Sequence, residues 1–317
     1  MHQLKLINLI NMNKIATLLM ILCAINLSAT NPSDKNLPDI DYVGDSIEGH
    51  RLDIHLPDTG ADSYPAVILI YGSAWFADNA KEMAFNTMGK TLLDNGFAVA
   101  TINHRSSMKA KYPAQIQDVK AAIRYVRANA GKYGIDPSFI AIGGFSSGGH
   151  LSALAGATNG IKRHKAGKTE IDIEGKLGEF TDTDSHVDAV VDWFGPIDMS
   201  RMENCQTTKD GNSPEAVLIG GAPADNPELI ELLNPMTYIN ADCPKFLVIH
   251  GDTDDVVPHC QSVYFSELLD KNGLLEEFVT VPGGGHGPVT FNDDTFRRMT
   301  DFLKKELEAK RRRQTNP

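Results

Sequence analysis

The 317-residue chain has only four cysteines and no Cys/His cluster at zinc spacing. No metal centre or organic cofactor is therefore implied. It also lacks a surplus of positive charge: 30 Lys and Arg stand against 41 Asp and Glu, a formal net charge of -11. A nucleic-acid footprint needs a basic face, so a nucleic-acid partner is excluded and small or neutral partners fit. The one basic cluster, Lys310–Arg313, ends an expected last helix, where cations are favourable. No internal repeat and no second domain can be read. The apolar stretch Ile15–Ile25 is too short to span a bilayer comfortably.

That stretch follows Met12-Asn13-Lys14 and precedes the small residues Ser28-Ala29-Thr30. A positive start, an apolar core and small residues read as a secretory signal peptide over residues 1–29. Met1 to Asn11 adds nothing a signal needs, so Met12 serves equally as the start. Cys23 invites a lipid anchor, but Leu22 before it is large. The expected product is a secreted or periplasmic soluble protein without stable membrane insertion. Signal removal leaves Cys205, Cys243 and Cys260, and an oxidising compartment permits one disulfide. The pair expected is Cys205–Cys243; the alternative is three unpaired thiols.

What is present is an alternation of strands and helices. Residues 30–40 read as a polar linker and 311–317 as a basic tail. His50–Leu56 alternates polar and apolar, as a half-buried antiparallel strand does. Ala66–Tyr71, Phe97–Ile102, Phe139–Ile142, Val187–Trp193, Lys245–Ile249 and Phe278–Val281 are runs expected of strands buried on both faces. Helices are expected over 83–94, 112–133 and 291–309. The class is α/β: one doubly wound, mostly parallel sheet over residues 41–310, with ligands at the carboxyl ends of the strands. Two long polar connections, 158–185 and 199–242, interrupt the alternation and read as cap and cleft walls.

The stretch Gly144-Phe145-Ser146-Ser147-Gly148 has the form G-x-S-x-G, between a strand and a helix. Such a turn holds its serine in strained backbone with the hydroxyl outward. Ser146 has glycines at both required offsets; Ser147 does not. A serine hydroxyl needs a base to take its proton, and on this architecture the order is serine, acid, histidine. His286, in Gly283-Gly284-Gly285-His286-Gly287 after the last strand, is the expected base. His259 follows Pro258 too close to the acid to reach back. The acid is one of Asp252, Asp254 and Asp255, and spacing alone does not choose. Oxyanion donors are expected from the Ser147 amide and from Gly72-Ser73-Ala74-Trp75. Trp75 reads equally as a cleft or a core aromatic; Trp193 and Phe194 are offered with it, and with Phe76, as lining for an aromatic slot.

Several motifs carry a family resemblance. Tyr71-Gly72-Ser73-Ala74-Trp75 stands where the family has His-Gly-Gly-Gly-Trp. Tyr112–Asp118, Lys132–Pro137, Gly144–His150, Trp193–Asp198, Asn234–Ile239 and His250–Pro258 match as well. Over roughly Asp39 to Leu307 the chain resembles the α/β-hydrolase superfamily, in the group of secreted bacterial feruloyl and acetyl esterases of the hormone-sensitive-lipase type. The resemblance implies that the acid precedes x-x-Val-Pro, which selects Asp254. It implies a serine esterase: Ser146 as nucleophile, His286 as base, Asp254 orienting it, and amides of Ser73, Ala74 and Ser147 as the oxyanion hole. The expected substrate is a small-molecule or oligosaccharide ester from plant cell-wall polysaccharide, feruloyl or acetyl, with the hydroxycinnamoyl ester expected ahead of the acetyl one. The other readings weighed are a prolyl-oligopeptidase-like peptidase, for whose propeller there is no room, and a non-catalytic carbohydrate-binding relative.

Overall fold

The computed structural model describes residues 35–206, 208 and 211–315. The signal-peptide reading over 1–29 lies outside the described residues. In chain order the early elements are β1 (Lys35–Asp41), β2 (Arg51–Leu56), β3 (Tyr64–Ile70) and α1 (Lys81–Ala84). A π-helical turn over Phe85–Gly89 leads into α2 (Lys90–Asp94), followed by β4 (Ala98–Ile102), α3 (Ala114–Ala128), α4 (Ala130–Tyr133), β5 (Ile135–Phe145) and α5 (Ser147–Ala157). A small hairpin, β6 (Arg163–Ala166) and β7 (Thr169–Asp172), precedes β8 (Ala189–Trp193). Then come α6 (Pro214–Ile219), α7 (Pro227–Leu233), β9 (Lys245–Gly251), α8 (Cys260–Lys271), β10 (Leu275–Val281) and α9 (Asp293–Thr315).

Eight strands form one sheet in the order β1-β2-β4-β3-β5-β8-β9-β10. From β4 to β10 every pairing is parallel; β2 is antiparallel to both of its neighbours. The buried strands read as continuous apolar runs because each face has its own core. Ile68, Ile70, Ile140 and Ile142 pack with Ile116, Val119, Ile123 and Leu154 on one face. Val67, Leu69, Val191 and Leu247 pack with Met88, Leu92, Phe302 and Leu303 on the other. Helices therefore cover both faces, and the fold is a doubly wound α/β sheet of the α/β-hydrolase type.

Three expectations change. The linker expected over 30–40 contains β1, whose residues 36–39 are exposed. An edge strand held by backbone pairing carries no apolar signal, and Pro38 is tolerated where the register shifts between Leu37 and Ile40. The tail expected over 311–317 is helical as far as Thr315. The disulfide is Cys205–Cys260, with Cα atoms 6.2 Å apart, and Cys243 is free and buried. Cys243 lies just before β9 and Cys260 after it, so the two stand at opposite ends of a seven-residue strand, about 20 Å long.

Candidate active site

At the end of β5 the chain turns through Ser146 with φ 56° and ψ -127°, and enters α5 at once. The glycines of the turn are required by close approach. A Cβ on Gly148 would stand 2.2 Å from the Ile70 carbonyl oxygen, and one on Gly144 would stand 2.5 Å from that of Gly148. The Ser146 amide donates to the Trp193 carbonyl at 2.9 Å, which fixes the turn to β8. The hydroxyl is thus presented at the carboxyl end of the sheet, on backbone that few non-glycine residues adopt.

His286 hangs from the loop after β10. Its Nε2 lies 2.9 Å from Ser146 Oγ, and its Nδ1 lies 2.7 Å from Asp254 Oδ2. The acid loop and the histidine loop are tied together. Asp252 Oδ1 accepts the Gly283 amide at 2.7 Å, and the Thr253 amide and hydroxyl both donate to the Gly284 carbonyl at 2.9 Å. Asp254 Oδ1 accepts the amides of Val256 and Val257, each at 2.9 Å. His250 Nε2 stands 3.2 Å from Asp254 Oδ2. Burial alone would raise the Asp254 pKa; hydrogen bonds from His250 and His286 outweigh it and hold the carboxyl well below the usual carboxylate range. Of the three candidate acids only Asp254 reaches His286. Asp252 braces the loop, and Asp255 is exposed. His259 faces away, with Nε2 3.2 Å from Thr280 Oγ1 and its ring stacked on Phe278.

Opposite stands the loop after β3. A Cβ on Gly72 would meet Ser146 Cβ at 2.7 Å, so this loop touches the serine. Ala74 and Trp75 both take positive φ, 52° and 61°. The Ala74 and Ser147 amides donate to no acceptor among the described residues. Of the three expected donors, Ser73 departs: its amide donates to Ser147 Oγ at 2.9 Å. The Ala74 and Ser147 amides thus remain as candidate oxyanion donors, while the Ser73 amide is bonded to Ser147 Oγ.

The expected cleft aromatics are core residues. Trp75, Trp193 and Phe194 are 1%, 0% and 1% exposed. Trp193 packs on Phe291 and Phe296, and Phe194 lies against the His286 ring with centroids 4.6 Å apart. They support the site from beneath, so the aromatic slot expected of them is not open. Three buried neighbours were not singled out in the sequence. His150 Nε2 donates to the Leu233 carbonyl at 2.9 Å, joining α5 to the long connection, and burial pushes its pKa down to about 4. Gln261 is fully buried and holds the Ile197 and Asp198 amides through Oε1. His250 lies in a motif that the resemblance quoted, yet its contact with Asp254 needs three dimensions.

The chain matches the BD-FAE family model over residues 52–269. It is 31% identical to the esterase LipQ of Mycobacterium tuberculosis over 225 residues, which is 70% of this chain and 50% of that one. Among solved structures it is similar to a bifunctional GH43-CE of Bacteroides eggerthii, at 62% identity and TM-score 0.85. That match covers 86% of this chain and 35% of the other. A truncated carbohydrate esterase from gut microbiota is 56% identical with TM-score 0.84, covering 86% of this chain and 95% of that one. The chain spans about half the length of the curated relatives it matches. With 218 residues inside the family model and the fold shared throughout, the chain belongs to the BD-FAE family of α/β-hydrolases.

Proposed function

We propose that the chain is a secreted serine esterase that removes short acyl groups from plant cell-wall polysaccharide. The observation that carries the reading is the line Ser146 Oγ–His286 Nε2, His286 Nδ1–Asp254 Oδ2, at 2.9 and 2.7 Å, beside two unbonded amides. In this reading His286 takes the Ser146 proton as Oγ attacks the ester carbonyl. The amides of Ala74 and Ser147 receive the oxyanion. The tetrahedral intermediate expels the alcohol, protonated by His286, and leaves an acyl-serine. Water, deprotonated by the same histidine, then releases the acid and restores the serine. Asp254 keeps the imidazole in the tautomer with Nδ1–H throughout.

The esterases and carbohydrate esterases among its relatives support ester hydrolysis on a sugar substrate. The Cys205–Cys260 disulfide is in keeping with export. Burial of Trp75, Trp193 and Phe194 favours acetyl over feruloyl as the acyl group, because of the four aromatics offered for a slot only Phe76 is partly exposed. Specificity lies in the ratio of kcat/KM values, so the test compares an acetylated xylo-oligosaccharide, methyl ferulate and a long-chain acylglycerol. Highest kcat/KM on the acetylated sugar is expected. A preference for the acylglycerol would overturn the carbohydrate reading, and a preference for ferulate would replace acetyl with hydroxycinnamoyl.

A further inference from the structure

We infer that His250 is a positioning residue of the reaction: its Nε2, bonded to the Val257 carbonyl and 3.2 Å from Asp254 Oδ2, helps to fix the Asp254 oxygen that holds His286. The inference rests on the proposed roles of Ser146, His286 and Asp254. His250 is the penultimate residue of β9, wholly buried and four residues before the acid. Its Nε2 faces two acceptors, the Val257 carbonyl at 3.0 Å and Asp254 Oδ2 at 3.2 Å. A nitrogen facing two acceptors must carry the proton. Nδ1, on the far side of the ring, lies 2.7 Å from Ser262 Oγ, which donates to it in the neutral ring. Ser262 is itself fully buried in the first turn of α8. The ring is therefore held at both nitrogens, and its tautomer is set by its surroundings.

The consequence falls on Asp254. Two backbone amides occupy Oδ1 and two imidazoles share Oδ2. Three hydrogen bonds and the His250 ring beside Oδ2 leave the carboxylate little room to rotate, so Oδ2 stays aimed at His286 Nδ1. The charged or titratable groups facing His250 are Asp254 across the acid loop and His259 with ring centroids 5.3 Å away. Phe194 and Ser262 complete the enclosure. Removing the Nε2 donor leaves more negative charge on Oδ2. That charge favours the protonated form of the His286–Asp254 pair, so the acid limb of kcat/KM moves to higher pH.

The experiment is a double-mutant cycle on the full chain, with p-nitrophenyl acetate as substrate. His250→Leu should lower kcat roughly tenfold with KM little changed, and move the acid limb upward. His250→Gln, which keeps a donor of similar reach, should recover most of the loss. In an Asp254→Asn background His250→Leu should cost under about twofold, because the group it acts through is gone. An equal loss in both backgrounds, or an unmoved acid limb, overturns the inference. If His250→Leu does not fold, Ser262→Ala is put through the same cycle. It removes the partner of Nδ1, and its smaller loss must also vanish with Asp254→Asn. An Asp254→Asn enzyme as active as wild type would overturn the proposed function itself, a result separate from these.

Discussion

The two sides of Ser146 are built in opposite ways. On the acid side Asp254 accepts three hydrogen bonds and has His250 Nε2 3.2 Å from Oδ2, and its loop is bonded to the loop that carries His286. On the other side, Gly72 to Trp75 holds two non-glycine residues at positive φ and leaves amides without partners. Buried polar groups are almost always bonded, and left-handed backbone costs roughly 1–2 kcal/mol per residue. The first side spends hydrogen bonds to hold a permanent charge still. In the proposed reaction the second keeps donors unspent for a charge that exists only during the chemistry. Saturation and vacancy serve the same chemistry, each matched to when its charge is present.

The largest expected effects break the acid side. Ser146→Ala and His286→Ala should each lower kcat by about 10⁴-fold or more, and Asp254→Asn by about 10⁴-fold. Circular dichroism should show an unchanged fold in all three. Asp255→Asn should stay close to wild type, since that carboxylate is exposed and outside the network. An inactive Asp255→Asn with an active Asp254→Asn would reassign the acid.

Next in size is the tie between the acid side and the long connection. Cys260 opens α8 directly after the acid loop, and Cys205 lies 55 residues earlier in the connection. Closing a loop of that length lowers the unfolded chain's entropy by the equivalent of about 4 kcal/mol. Cys205→Ser should therefore lower the urea midpoint substantially, while kcat on a small aryl acetate changes little. A fall in kcat with stability unaltered would mean that the disulfide shapes the site rather than the stability.

A third test uses pH. The native Asp254 carboxyl is held below its unfolded value, about 3.9. Its contribution to stability is thus fully present above that value and lost as pH falls through the native pKa. The gap in unfolding free energy between wild type and Asp254→Asn should stay constant from neutral pH to about pH 4, then narrow. A gap that narrows already at pH 6 would place the Asp254 pKa far higher than its hydrogen bonds and the neighbouring His250 allow.

The same contrast explains what could be read from the chain. The elbow was legible because backbone contacts under 3 Å admit only glycine at 144 and 148. The order of Ser146, Asp254 and His286 follows from the parallel sheet, whose carboxyl ends gather those loops. β1 was not legible, since residues 36–39 are exposed and the strand is held mainly by its backbone pairing. The disulfide partner was not legible either: sequence spacing does not show that Cys243 and Cys260 lie at opposite ends of β9. The aromatics were ambiguous because a buried tryptophan and a cleft tryptophan look alike in sequence. The use of the Ser73 amide depended on a hydroxyl at position 147.

That hydroxyl supplies the smallest and sharpest test of the vacant side. Ser147 Oγ accepts the Ser73 amide at 2.9 Å, so one of the three expected donors is occupied in the resting enzyme. Ser147→Ala removes the acceptor and frees that amide, while the Ser147 backbone donor at the start of α5 is untouched. If the Ala74 and Ser147 amides suffice for the oxyanion, kcat should change by less than about threefold. That is far below the 10²–10³-fold that one lost donor costs. A modest rise would mean that the freed Ser73 amide joins the pair. A loss approaching a hundredfold would mean that the hydroxyl itself donates to the oxyanion, polarised by the Ser73 amide behind it. The contrast would then soften, because a side chain would share the work assigned here to unpartnered backbone. Measuring kcat and KM for Ser147→Ala beside Ser73→Gly separates these outcomes: Ser73→Gly keeps the amide and its acceptor, and should leave kcat near wild type.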